Sequence, residues 1–371
     1  MRARTSLIAA ALLALSTHPA LAQDPGIKIA VGNVGLGIGD VPRLDGIRLN
    51  YRDRELQLVR GINATIWSPY RENRGVVQGL ALGLPLTGGA DVSGLALGAG
   101  VSADRTFTGV GLSFVGMGAG EDIKGIAVGG VGVGGGGNLD GLMVGGLGVG
   151  AQGDVRGVLL GGLGAGAGGS LTGIAVGGLG IGASGNVTGL LLGGLGAGAG
   201  GDLKGVAAGG LGIGASGNVT GIIAGGLGVG AQGDVKGIAV GGLGIGAGGN
   251  VTGLAVGGLG VGAAGEVKGV AIGGVGVGAP RMTGAVLTGF GAGGEDVTGF
   301  VLAPGYFKIE DGGTFRGVSV SAWNRVLGEQ RGLAIGLLNV ANELHGLQVG
   351  VINIARNKES FSVLPILNWH R

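Results

Sequence analysis

The chain has 371 residues, of which 99 are glycine, 8 proline and none cysteine; 45% are hydrophobic, 12% charged and 4% aromatic, with a formal net charge of +2. Glycine does not recur at every third position, which excludes a collagen triple helix, and valine, isoleucine and leucine keep fixed places, which separates the chain from polar disordered linkers. The near-neutral balance without a basic cluster excludes an electrostatic footprint for nucleic acid, and the lack of cysteine excludes disulfide staples, thiolate metal sites and a lipoprotein anchor.

Residues 1–22 read as a secretory signal peptide. Arg2 and Arg4 precede the apolar run LIAAALLAL, and Ala20-Leu21-Ala22 fits the small-x-small cleavage pattern. The apolar run is too short to span a bilayer as a helix, so the expectation is an exported chain.

The rest of the chain is one repeat array. Residues 23–108 read as N-terminal capping and irregular repeats, with units starting at 45, 61, 79 and 94. Residues 109–268 hold ten consecutive glycine-rich units of sixteen residues. Residues 269–371 form irregular repeats and a C-terminal cap, with units starting at 269, 284, 299, 317, 332 and 346. Chemically ordinary sequence with Trp67, Tyr70, Trp323 and Trp369 sits at the two ends, where a stacked array needs atypical capping units.

The unit GIAVGGLGIGASGNVT, residues 173–188, carries two apolar-x-apolar triplets, Ile174-Ala175-Val176 and Leu179-Gly180-Ile181, and a lone Val187. Each triplet reads as a short strand with both large residues on one face. The apolar spacing predicts a three-sided coil of a β-solenoid, with Ile174, Val176, Leu179, Ile181 and Val187 in the core and Ala175, Gly180 and Asn186 outward. Gly177-Gly178, Ala183-Ser184 and Thr188-Gly189 fall at corners, where glycine adopts positive φ without penalty. Coils stacked about 4.8 Å apart would make the ten units a rod roughly 48 Å long. One corner alternates Asn186, Asn218 and Asn250 with the acid–lysine pairs Asp202/Lys204, Asp234/Lys236 and Glu266/Lys268. Alternation sets like charges roughly 10 Å apart, near a Debye length, and duplication of a 32-residue pair accounts for it equally well.

The alternative architecture is an antiparallel transmembrane β-barrel, for which a dozen apolar residues and a Gly-Asn or Gly-Asp turn would supply a strand and a hairpin. Against it, Ile174 and Val176 would face one side of such a strand and Leu179 and Ile181 the other, and the array offers neither a polar lumen nor aromatic girdles.

The C-terminal units carry a resemblance. GLAIGLLNVANELH (332–345), GLQVGVINIARNKES (346–360) and FSVLPILNWHR (361–371) resemble the bacterial surface repeat-containing proteins, through Asn339, Ala341, Gln348, Asn353, Ala355 and the closing Leu364-Pro365-Ile366-Leu367-Asn368-Trp369; GIRLNYRD (46–53) is similar to that family's first unit. The resemblance covers the two ends, while glycine and alanine replace the Gln and Asn in the central array. It implies exposure at a bacterial cell surface or outer membrane, outer-membrane or cell-envelope components as partners, and no enzymatic activity.

Motifs for chemistry are sparse. Of the three histidines, His18 lies in the signal segment, and His345 and His370 lack a metal-ligand spacing in the array. The Gly178-Leu179-Gly180-Ile181-Gly182 pattern recurs without a GK[ST] and opens no helix, so it does not read as a phosphate loop. One acid per 32 residues is too few for calcium-binding glycine-rich repeats. The Asn-x-Thr triplets at Asn63, Asn186, Asn218 and Asn250 read as corner polarity, and Glu121-Asp122, Glu295-Asp296 and Glu310-Asp311 as solvated corners. No catalytic, cofactor-binding or metal residue and no small-molecule substrate is expected. Two functions remain: a surface scaffold, structural or adhesive, with specificity in the aromatic- and arginine-bearing segments 50–61 and 68–75, or an outer-membrane β-barrel pore or transport protein.

Overall fold

A computed structural model describes residues 26–67 and 75–371, so the signal segment and Tyr70 lie outside the described residues. Those residues form strands and turns with no helix, and the architecture is a β-solenoid, not a barrel. The chain divides into two compact units, Met1–Asp104 and Arg105–Arg371.

In the first unit the strands Val34–Gly39, Arg43–Asn50, Leu58–Thr65, Val76–Gly89 and Asp91–Ala103 pair in parallel succession. Gly26–Val31 precedes them and runs antiparallel to Val34–Gly39. In the second unit each regular coil has a seven-residue strand, such as Leu171–Gly177, and a four-residue strand, such as Gly180–Ala183. Both pair in parallel with their equivalents sixteen residues on, as in Leu171↔Val187 and Ile181↔Ala197. Corner backbones are bonded as well: Leu195 N–H donates to Leu179 O at 2.7 Å and Gly201 N–H to Gly185 O at 3.0 Å. This parallel ladder overturns the barrel alternative, whose strands would meet their sequence neighbours antiparallel. At the far end Val363–His370 turns back antiparallel against Gly346–Ile354.

The corners fall where the glycines stand, for two different physical reasons. Gly189 and its equivalents kink the long strand at positive φ, 134° at Gly189 and 131° at Gly173, a conformation that costs an L side chain 1–2 kcal/mol or so, roughly. Gly178 has no positive φ; a Cβ there would overlap the carbonyl oxygen of Gly162 in the preceding coil. Within the sixteen-residue coils positive φ is thus confined to one of the three corners.

The direction of the first triplet is the reverse of the expectation. Ala175 is fully buried, whereas Ile174 is 40% and Leu179 50% exposed, and Val176 is half-buried; Ile181 and Val187 are buried as expected, and Asn186 is exposed. The reason is room. Three short sides enclose a narrow interior, and in most coils its residues compensate in size: Leu159 shares its coil with Ala165, Ala175 with Ile181, Leu191 with Ala197 and Ala207 with Ile213, all buried. Close packing favours this trade, since an interior at crystal-like density leaves little slack at one level; the coils of Met143 with Val149 and of Ile223 with Val229 bury two large side chains there.

Replacing Ala175 with leucine should therefore destabilise the array by about 1–3 kcal/mol through overpacking. Adding Ile181→Ala should restore most of the loss, because the double variant reproduces the Leu191/Ala197 coil. Urea unfolding of the two single variants and the double variant reads this coupling directly.

Candidate binding surfaces

The outward side of the array is built from columns. Because coil pairs with coil in strict register, each position stacks on itself about every 4.8 Å. Ile174, Val206, Ile222 and Ile238 belong to one column, each 40–54% exposed; Leu192 and Val240 belong to a second; Leu163, Leu179, Leu195, Leu211, Leu227 and Leu243 form a third at the corner, each 48–50% exposed. Together they make a continuous aliphatic face. The four-residue strands show a different surface: Gly180 and Gly182 point outward from Gly180–Ala183, and a Cβ at Gly182 or Gly230 would meet only open space.

The third corner carries a hydrogen-bond ladder. Asn186 Oδ1 accepts from Asp202 N–H at 2.8 Å, Asp202 Oδ1 from Asn218 N–H at 2.8 Å, Asn218 Oδ1 from Asp234 N–H at 2.9 Å, and Asp234 Oδ1 from Asn250 N–H at 2.7 Å. The same link runs on to Glu266 N–H and begins at Asp122. Each side chain thus satisfies a corner donor of the next coil, and amide and carboxylate serve equally as acceptors. Backbone donation from Asn138 to Asp122 and from Asn218 to Asp202 holds those carboxyls below their usual value; at Asp234 the Lys236 ammonium is the larger cause and the Asn250 N–H the second. Lys204 lies 3.4 Å from Asp202 and Lys236 2.8 Å from Asp234.

In the first unit the expected specificity segment, 50–61, borders a cavity of about 1070 Å³, whose walls include Tyr51, Trp67, Leu49, Ile66, Leu84 and Leu97. Tyr51 and Trp67 stack with ring centres 6.5 Å apart and planes 11° from parallel. Beneath lies a buried polar cluster. Arg48, fully buried, donates through Nε to Val41 O at 2.9 Å, through Nη2 to Asp40 at 2.7 Å, and through Nη1 to Asp53 and to Asn63 Oδ1 at 2.9 Å. Asp53 also accepts from Asn50 Nδ2, Asn63 Nδ2 and Thr65 Oγ1. Asp40 accepts from the backbone N–H groups of Arg54 and Glu55. The coil interior that other turns fill with hydrocarbon is here a saturated ion network. Asn63 belongs to it with no exposure, so the expectation of corner polarity at that residue is corrected. Segment 68–74 lies outside the described residues.

At the other end the interior changes to amides. Phe307 and Phe315, in edge contact at 5.0 Å, are opposite Asn324 and Gln330 of the next coil. From there Asn324 Nδ2 donates to Asn339 Oδ1 and Asn339 Nδ2 to Asn353 Oδ1, both at 2.7 Å, while Gln348 Nε2 donates to Gln330 Oε1 at 3.0 Å. Asn339, Gln348, Asn353 and Asn368 are fully buried. His345 is part-exposed, 3.6 Å from Glu329, with its ring 6.2 Å from that of His370. Among the described residues no group of three or more His, Asp or Glu is placed to hold a metal ion.

Removal of one ladder acceptor, Asn218→Ala, should cost about 1 kcal/mol, read as a lowered urea midpoint. Carboxyls lowered in the folded state stabilise fully above their unfolded value near 3.9 or so and lose that contribution as pH falls through the lower folded value, so array stability should decline below about pH 4. The variant Asp202→Asn with Asp234→Asn keeps both acceptors and should flatten the decline in a thermal-melting series from pH 6 to pH 2. Arg48→Met should destabilise the first unit by about 3–5 kcal/mol, because Asp53 and Asp40 stay buried without their cation.

No family model, curated protein or solved structure matches the chain.

Proposed function

We propose that this chain is a non-enzymatic exported repeat protein of the bacterial cell surface or outer membrane, acting as a structural or adhesive scaffold. The observation that carries the proposal is the repeated outward surface: the exposed side chains are arranged in long identical columns, a geometry suited to extended contact instead of convergence on one reacting atom. The N-terminal signature Arg2, Arg4 and Ala20-Leu21-Ala22 supports export, and the amide-bearing C-terminal units support the surface-repeat resemblance. Adhesive specificity is assigned to the cavity beside Tyr51 and Trp67, where aromatic faces and apolar walls concentrate in the first unit.

Fractionation of the producing cells tests the proposal. The chain should be recovered with the cell envelope, be cut by protease added to intact cells, and run on a gel at a mobility independent of heating. Recovery of uncleaved chain in the cytosol would overturn it. A Trp67→Ala variant should reach the envelope in normal amount and lower cell attachment at least severalfold in an adhesion assay.

A further inference from the structure

We propose that the aliphatic face of the sixteen-residue array is the interface of a homodimer, its occupant a second copy of this chain. The inference goes beyond the scaffold reading and stands on the array alone.

Three observations select the occupant. The first is area. Ten coils about 4.8 Å apart and about 15 Å across present about 700 Å² of face, close to the roughly 800 Å² per partner of a stable interface and above the few hundred Å² that monomers commonly expose. The second is period. The columns holding Ile174 and Leu179 repeat with the coil, so the face is a ridged surface of fixed spacing. A second copy has the same spacing and meshes along its whole length, whereas a partner of another period loses register within a few coils. The third is charge. Residues 109–268 carry seven acids against five lysines and arginines, and three of the lysines beside the face lie next to acids: Lys124 at 3.3 Å from Asp122, Lys204 at 3.4 Å from Asp202 and Lys236 at 2.8 Å from Asp234. That edge therefore offers no surplus positive charge to an anionic lipid surface, which a membrane-seated face would use. A two-fold axis lying in the plane of the interface brings the two faces together and makes the contact isologous and closed.

The test uses residues 23–371 in detergent-free buffer. Sedimentation velocity at micromolar concentration should give twice the chain mass. Leu195→Lys with Leu211→Lys puts charge on two side chains that are 48% and 50% exposed, so the coil interior is untouched. This variant should sediment as a monomer, with the dimer weakened about 100-fold or more and the far-ultraviolet circular dichroism unchanged, since each lysine would otherwise be buried unpaired. Gly230→Lys, on the glycine side where a Cβ meets open space, should remain a dimer. A wild-type monomer at every concentration overturns the proposal, as does a charged variant that stays dimeric. Co-flotation of a monomeric chain with phosphatidylcholine vesicles also overturns it and assigns the face to lipid. None of these outcomes depends on where the chain resides in the cell, so a failure here is distinct from a failure of the scaffold reading.

Discussion

Parallel backbone pairing of each residue with the one sixteen positions on is the constraint from which the array follows. It sets neighbouring coils at the sheet spacing of about 4.8 Å and stacks every position on its own equivalent. Glycine is then compelled where backbones meet most closely, as at Gly178 against the Gly162 carbonyl. The aliphatic columns and the Asn/Asp ladder are further products of the same register. Without it, an interior made of three apolar side chains per coil, most often one of them alanine, would be too small a core for a domain.

The fold class, the unit length and the corner positions were legible in the sequence, because glycine marks corners and the period is nearly unbroken over residues 109–268. The direction of the first triplet was not. Ile174-Ala175-Val176 has two large residues around a small one, and apolar area alone assigns the large ones to the core; the structure buries Ala175 because it stacks in register on Leu159 and Leu191, which face inward. The signal was present as the inverse size pairing of residues six apart, Leu159/Ala165 and Leu191/Ala197, which is visible only when successive units are compared. The corner ladder was half legible. Alternation of Asn and Asp suggested charge spacing, yet both residues do the same work as acceptors for the next coil's N–H.

At the two ends the coil interior departs from hydrocarbon in different ways. Arg48, Asp40, Asp53 and Asn63 replace it by an ion network in the first unit, and Asn324, Asn339 and Asn353 by an amide column in the second. Segment 50–61 was marked by its aromatic and arginine content, and its Tyr51 stacks on Trp67 at a cavity wall. The contribution of Asn63 was hidden, since an Asn-x-Thr triplet looks alike at a solvated corner and in a buried cluster. Burial of such a network is a weak source of net stability, but it tolerates few alternative packings and so specifies one arrangement of its coils.

The reversed strands Gly26–Val31 and Val363–His370 bear on how the chain can grow. A parallel stack that simply stopped would present an edge identical in polarity and step to every internal one, an invitation to another chain to continue the ladder. A strand of opposite sense changes what that edge offers, because the next molecule's coil could not continue the parallel step found at every internal edge. The array can also gain or lose coils in evolution without altering the pieces that terminate it.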